Sequence, residues 1–412
     1  MSEEEIKKMF HRVEIDKSND SCGFEFADGF DCTFDNIATC YDDRLKLYDL
    51  VKKLQQEKDV LENELRNYQS KENVEYIFSF DFNPVLAEVC YELKLVYISW
   101  VLDCPHVSLW SKGAAYDTNR IFVFDLVQYR ELLKRGLTNV WYQPICADID
   151  NFDKTIGNDG GTSKLKYGSD VAFVGNLYSD VNHSLYDQIS YMPPYLKGYL
   201  EALMEAQRKM WGVDLLGEAI NERTWKELKE NVKWDLGERY ESSAYEMMMK
   251  NIIGQKITQM ERKEACSYLA EHFDFALYTG SDTSFDSKIR NMGHADYLKE
   301  MPLIFHYSKI NLHITLRSIT SGMSLRVLDV LACGGFLLTN YQPEIAEYFV
   351  DGEDLVMYYS FEDMYEKIRY YLEHEEERIR IARAGYLKVK ENFSYRNGIG
   401  YIVETLGETY HE

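Results

Sequence analysis

No stretch of this chain approaches the ~20 consecutive apolar residues that a membrane-spanning helix needs, which argues for a soluble protein. The opening residues, MSEEEIKKMF, lack an apolar run behind a basic stretch, so nothing marks the chain for export and a cytoplasmic location is expected. CxxC pairs and His/Cys clusters at metal-binding spacing are also missing. The eight cysteines (Cys22, Cys32, Cys40, Cys90, Cys104, Cys146, Cys266 and Cys333) are scattered, and read as reduced thiols, mostly in the core. Positive charge is in short supply: 46 Lys and Arg stand against 69 Asp and Glu, a formal net charge of −23. Such a surface repels phosphate backbones and anionic lipid, which argues against nucleic acid as a partner. An anionic small ligand would need a local positive site. Neither GxGxxG nor a GxxxxGK phosphate loop occurs, and there is no short-period repeat. No Asp-x-Asp motif stands immediately at a strand end, so no metal site is expected.

At 412 residues the chain exceeds what one core usually supports, so two domains with a cleft between them are expected. Residues 1–40 show no clear apolar first strand and read as an irregular segment. From 42 to 70, Leu47, Leu50, Val51, Leu54, Leu61, Leu65 and Tyr68 form one stripe of a helix roughly 40 Å long. That helix either packs on its own sheet or protrudes for self-association. From residue 74, VEYIFSF, LVYISWVL, IFVFD and VWYQPI alternate with helical stretches, including one from Leu126 to Arg135 stopped by Gly136. This is the pattern of a parallel sheet with covered faces. The N-terminal domain is placed at 41–146.

Residues 147–169 are polar and glycine-rich, and read as a linker that lets two domains close on a ligand. The alternation then restarts with DVAFVGN, FDFALYTG, KINLHIT, GFLLTN and LVMYYS, giving a second α/β domain at 170–393. It contains a helical segment at 195–272 and is followed by a C-terminal helix at 394–412. In this α/β arrangement a ligand is expected in the crevice beyond the C-terminal ends of the strands.

The most informative stretch is SGMSLRVLDVLACGGFLLTN, residues 321–340. Ser321, Gly322 and Ser324 read as a helix entry, Leu325, Leu328 and Ala332 as the buried stripe, and Gly334 and Gly335 as the stop. Arg326 and Asp329 are left on another face. An Arg in a first turn opposes the helix dipole unless an anion is nearby, and a diphosphate would reverse that sign. Asp329, one turn on, could accept ribose hydroxyls. The alternative is a plain i,i+3 surface pair worth ~0.2–0.5 kcal/mol. Gly175 and Asn176 after one strand, and Thr279 and Gly280 after another, are turns where backbone could approach a phosphate, or ordinary βα turns. Asp103 and His106 follow the strand LVYISWVL, where either could deprotonate an acceptor hydroxyl. Alternatively, Asp103 caps the Pro105 turn and His106 is structural. Trp100, Trp110 and Tyr116 are candidates for sugar stacking, and His313 and Arg317 lie at another strand end.

Residues 290–396, with RNMGHADYLKEMPLIFHYSKINLHIT, SGMSLRVLDVLACGGFLLTN and YLEHEEERIRIARAGYLKVKENFSY, resemble the C-terminal domain of spore-maturation (CgeB-type) glycosyltransferases. Residues 76–145 resemble the uncharacterised domain that precedes it in many bacterial proteins. The resemblance implies a GT-B fold, two Rossmann-like domains with a cleft between them. The C-terminal domain would hold a nucleotide-sugar donor, with a UDP-sugar the first expectation and no other cofactor. The N-terminal domain would face the acceptor, be it protein, glycan or small molecule. In retaining GT-B enzymes the last of two acids spaced eight apart binds ribose, and Asp329 takes that position. Ser321 stands where the first acid would be, so the stereochemistry stays open. The resemblance further implies base contacts from Gly293 to Tyr297, including Ala295. The expected reaction is attack of an acceptor hydroxyl at the anomeric carbon, with Arg326, backbone N–H groups and Lys309 stabilising the leaving diphosphate. Two competing readings are a non-catalytic nucleotide-sugar-binding or assembly protein and a GT-B sugar-nucleotide epimerase.

Overall fold

The computed structural model describes Lys58, Glu62, Asn63, Leu65 and Arg66, and residues 76–179, 185–189, 192–232 and 236–409. The irregular segment expected at 1–40 lies outside the described residues, as does most of the helix expected at 42–70. The five described residues of that stretch are helical. Leu65 is buried against the N-terminal core and Lys58 bonds Glu92, which fits a helix packed on its own sheet.

The first sheet is parallel, in the order β1 (Tyr76–Phe80), β2 (Val96–Val101), β3 (Asn119–Val123), β4 (Val140–Tyr142). Helix α1 (Pro84–Leu93) starts where Asn83 caps the N–H groups of Val85 and Leu86, with Pro84 in the first turn, where it gives up no helical hydrogen bond. Helix α2 (Leu126–Lys134) starts at Asp125, directly after β3, and ends at Gly136, whose φ of +91° favours glycine.

The stretch expected to be a linker is instead largely helical, with α3 (Ile149–Asp159) followed by a short turn of helix at Lys164–Tyr167. Ile149 and Phe152 are buried and Ile156 packs with them, an i, i+3, i+7 stripe. Tyr307 donates to Asp159 at 2.6 Å, which ties α3 to the C-terminal half.

The second sheet is also parallel. Strands β5 (Val171–Val174), β6 (Phe275–Tyr278), β7 (Ile310–His313), β8 (Leu337–Asn340) and β9 (Val356–Tyr358) lie in the order β6-β5-β7-β8-β9. The order reverses between β5 and β7, the switch point at whose carboxyl edge ligands of such sheets bind. Between β5 and β6 run α4 (Pro194–Arg208), α5 (Glu222–Asn231) and the 29-residue α6 (Ala244–His272). Helices α7 (Met301–Tyr307), α8 (Leu325–Ala332), α9 (Pro343–Tyr348), α10 (Phe361–Glu373), α11 (Glu375–Asn392) and α12 (Tyr395–Thr409) complete the chain.

The helices between β5 and β6 do not pack as a satellite of the second sheet. Leu196, Leu200, Leu228, Met248 and Ile253 share one core with Val89, Tyr97 and Ile121 of the first half. Farther along α6, Ala265, Cys266 and Leu269 join Val171 and Leu312 under the second sheet. One continuous helix therefore enters both cores. α12 returns to the first half, where Ile402 and Leu406 cover Ile98, Trp100 and Phe122 on the other face of the first sheet.

Candidate active site

The carboxyl edges of the two sheets face each other, and the sequence-predicted residues fall into separate groups along this seam. At the switch point, the Asn176 carboxamide oxygen accepts from Ser281 Oγ at 2.8 Å, joining the turns after β5 and β6. Ser281 N–H in turn donates to Thr279 Oγ1 at 3.1 Å. A Cβ on Gly175 would sit 3.3 Å from the Phe173 ring, whereas one on Gly280 would meet open space, so no close approach demands glycine at 280. Beneath them lies a residue that sequence reasoning missed. Arg262 on α6 is buried and donates to the carbonyls of Asn176 after β5 and Ile314 after β7, clamping both sides of the switch point. Burial holds its guanidinium below the ordinary Arg range.

The second group centres on α8. Its N-cap residue, Ser324, makes no side-chain cap. The Ser324 hydroxyl shares a 2.8 Å hydrogen bond with His313 Nε2 at the end of β7. Burial first, then Arg262 and Arg326, push His313 well below the usual 6.5, so it is neutral. Arg326 Nη1 donates to Asp329 at 3.0 Å and lies 3.1 Å from the Met301 sulfur, with its guanidinium over the Phe305 ring. Tyr297 Oη donates to the other Asp329 oxygen at 2.9 Å. The i,i+3 pair is thus formed but is not a surface pair, since the Asp329 side chain is 1% exposed. Burial raises Asp329 to about 6, outweighing the opposing pull of Arg326 and of the Tyr297 hydroxyl. Ala295 is buried two residues from Tyr297, beside Gly293 at φ +84°.

Ser321 and Gly322 form a third group, bonded across the seam. Asp125 Oδ2 accepts from the backbone N–H groups of Thr320, Ser321 and Gly322 at 3.1, 2.9 and 2.8 Å. Ser321 Oγ donates to Glu344 at 2.6 Å, and Glu344 also accepts from Leu126 N–H and Tyr142 Oη. Burial raises the Glu344 carboxyl against these three donors. Neither Asp125 nor Glu344 stood out in the sequence. The signal for Asp125 was its position, a carboxylate directly between an apolar strand and a helix.

Two expectations are corrected. Lys309 does not reach the site. It immediately precedes β7, and parallel strands put such a residue at the opposite, amino edge of the sheet, where it pairs with Asp170 at 2.7 Å. His106 matches its structural alternative: it is buried, and its Nε2 lies 2.9 Å from the Phe82 carbonyl and 3.2 Å from the Phe82 N–H. Asp103 is exposed on the adjoining loop, whose Cys104 carbonyl accepts from Ser318 Oγ of the second half. Asp81, Asp103 and His106 offer ligand atoms within 4.8 Å of one another, the one such group among the described residues. Of the remaining candidates, Arg317 is committed to buried Glu261 and stacks on Trp211, while Trp100 and Trp110 are core residues. Tyr116 stacks on Tyr91. No helix among the described residues is long and apolar enough to cross a membrane.

Residues 261–404, from within α6 into α12, match a family model described as glycosyl transferase-like. No curated protein matches the chain. Among solved structures, it is similar to the α,α-trehalose-phosphate synthase (UDP-forming) from Burkholderia vietnamiensis, at 15% identity over 89% of this chain and 77% of that one, TM-score 0.50. It is also similar to HepE from Anabaena in complex with UDP-glucose (8% identity, 84% and 81% covered, TM-score 0.47). A third is the sucrose-phosphate synthase from Thermosynechococcus elongatus (11%, 87% and 79%, TM-score 0.45). The fold, two parallel α/β sheets with their carboxyl edges facing across a seam, is the two-domain GT-B arrangement, and the segment around α8 lies within the match to the glycosyl transferase-like model.

Proposed function

We propose that this protein is a glycosyltransferase that moves a sugar from a nucleotide-sugar donor to an acceptor hydroxyl. The observation that carries the proposal is the position of α8. It lies inside the segment that matches the glycosyl transferase-like model, starts without a side-chain cap at the seam between two facing sheet edges, and pairs a half-buried Arg326 with a buried Asp329. The N–H groups at its start and the Arg326 guanidinium supply the donors that a leaving diphosphate needs as charge develops. For this, Arg326 must exchange Asp329 for phosphate. Asp329, relieved of Arg326 and of the Tyr297 hydroxyl, takes the ribose hydroxyls. Gly175, Asn176, Thr279 and Gly280 line the switch-point edge where the nucleotide runs, and Ala295 and Tyr297 meet the base. Asp103, exposed at the edge of the first sheet, is the candidate base for the acceptor hydroxyl. UDP is the first nucleotide to try, because the Burkholderia enzyme of the same fold is UDP-forming. Kinship to the CgeB-type enzymes, a cytoplasmic location and metal-independent transfer belong to the same reading.

The test is thermal denaturation with UDP-, GDP-, dTDP- and CMP-sugars, followed by analysis of products with and without EDTA. One nucleotide series should stabilise the fold, by about 2.7 kcal/mol at a hundredfold excess over Kd. Free nucleotide should appear with sugar on an acceptor or on water, in EDTA as well as without it. No stabilisation by any series at millimolar ligand would overturn the reading. Epimerised donor would assign an epimerase, and binding without turnover a non-catalytic protein. Activity lost in EDTA and restored by manganese would overturn metal independence.

A further inference from the structure

We propose that Asp125 is a positioning residue for the loop that leads into α8, so that the geometry of the donor side is set by the acceptor-side half of the molecule. Its consequence for nucleotide binding rests on the reading above; the mechanical claim does not. The Asp125 carboxylate is fully buried and divided between two tasks. Oδ1 accepts the Gln128 N–H at 2.8 Å, which is an ordinary N-cap of its own helix α2. Oδ2 is turned outward and gathers three successive N–H groups, those of Thr320, Ser321 and Gly322. Successive backbone N–H groups converging on one oxygen are the geometry that proteins use to hold anions. Here the anion is a side chain from the opposite half.

The exchange is reciprocal. Three first-turn N–H groups of α2 need partners, and two of them find these in the C-terminal half. Leu126 N–H donates to Glu344 at 2.8 Å and Val127 N–H to Ser321 Oγ at 3.3 Å. The start of α2 and the loop at 320–322 therefore satisfy each other's backbone groups. Gly322 permits the approach: a Cβ there would lie 2.9 Å from the Phe124 ring and 3.1 Å from Asp125 Cβ. Two residues beyond Gly322 stands the N-cap of α8, and two further stands Arg326, so a displacement of this loop displaces the diphosphate donors.

Asp125→Ser isolates the second task. Serine still caps α2, but its hydroxyl is too short to reach across the seam. Hydrogen exchange should show Thr320–Gly322 opening roughly tenfold faster or more, as expected when charge-assisted hydrogen bonds are removed, with α2 beyond Val127 unchanged. Gly322→Ala, which pries the same contact from the other side without altering charge, should reproduce the pattern. If UDP stabilises the wild-type protein, Asp125→Ser should weaken it by a similar factor. Unchanged exchange at 320–322 in folded Asp125→Ser protein would overturn the proposal. A wild-type protein indifferent to UDP would remove the nucleotide reading instead, while the exchange measurement still decides the coupling.

Discussion

Burial changes what the Arg326–Asp329 pair is worth. A surface pair contributes ~0.2–0.5 kcal/mol, and its loss would pass unnoticed. Because Asp329 is 1% exposed, Arg326→Ala strands a carboxylate in the interior, which costs about 1–3 kcal/mol, and Asp329→Asn added to it should recover most of that loss. In activity, Arg326→Ala should lower kcat by more than it raises KM, by about 10²–10³ if Arg326 serves the leaving diphosphate. Wild-type kinetics in the folded variant would refute that role. Asp329 also makes a pH prediction. Its folded pKa of about 6 lies above the ~3.9 of an unfolded Asp, so between those values the folded state binds more protons and stability falls as pH rises. Denaturant melts from pH 4 to 7 should show wild type losing stability relative to Asp329→Asn, by on the order of 2–3 kcal/mol across that range. Equal slopes would mean that Asp329 ionises normally. The i,i+3 spacing of this pair was legible in the sequence. Its burial was not, because Tyr297, Phe305 and Met301 reach it from a segment some thirty residues earlier.

At the scale of elements, most of the strands could be read from short apolar runs, and β5 to β9 stand where those runs predict. Segment 147–169 could not be read so easily. Gly157, Gly160 and Gly161 mask the Ile149, Phe152, Ile156 stripe, and only packing against α7 and α8 shows that the stripe outweighs them. Lys309 failed for a topological reason: pattern identifies a strand, but chain direction decides which of its ends meets the cleft. The same logic singles out Gly398, where α12 crosses the first sheet. A Cβ there would overlap the Trp100 ring and press on the Cys146 sulfur at 2.8 Å. Gly398→Ala should therefore destabilise by about 1–3 kcal/mol, whereas the same change at Gly400, where nothing lies within 4 Å, should not. Thermal melts followed by tryptophan fluorescence would compare the two, and equal melting temperatures would show that α12 docks loosely.

Across the whole molecule, a glycine-rich linker leads one to expect two domains that close on a donor. The folded chain has α6 running through both cores and a reciprocal set of backbone caps already joining the sheet edges. Solution scattering should therefore find the same radius of gyration with and without saturating UDP-sugar, and contraction on binding would restore the hinge. The packing of α6 and α12 also bears on how the chain is made. The sheet that leaves the ribosome first is covered on one face by helices encoded as late as Ile257, and on the other by Ile402 and Leu406. Domains made in sequence usually fold in sequence, the N-terminal one first. Among the described residues the Trp100 and Phe122 face is covered by α12, so a chain stalled before residue 395 lacks that cover and presents a nascent apolar surface of the kind that chaperones hold.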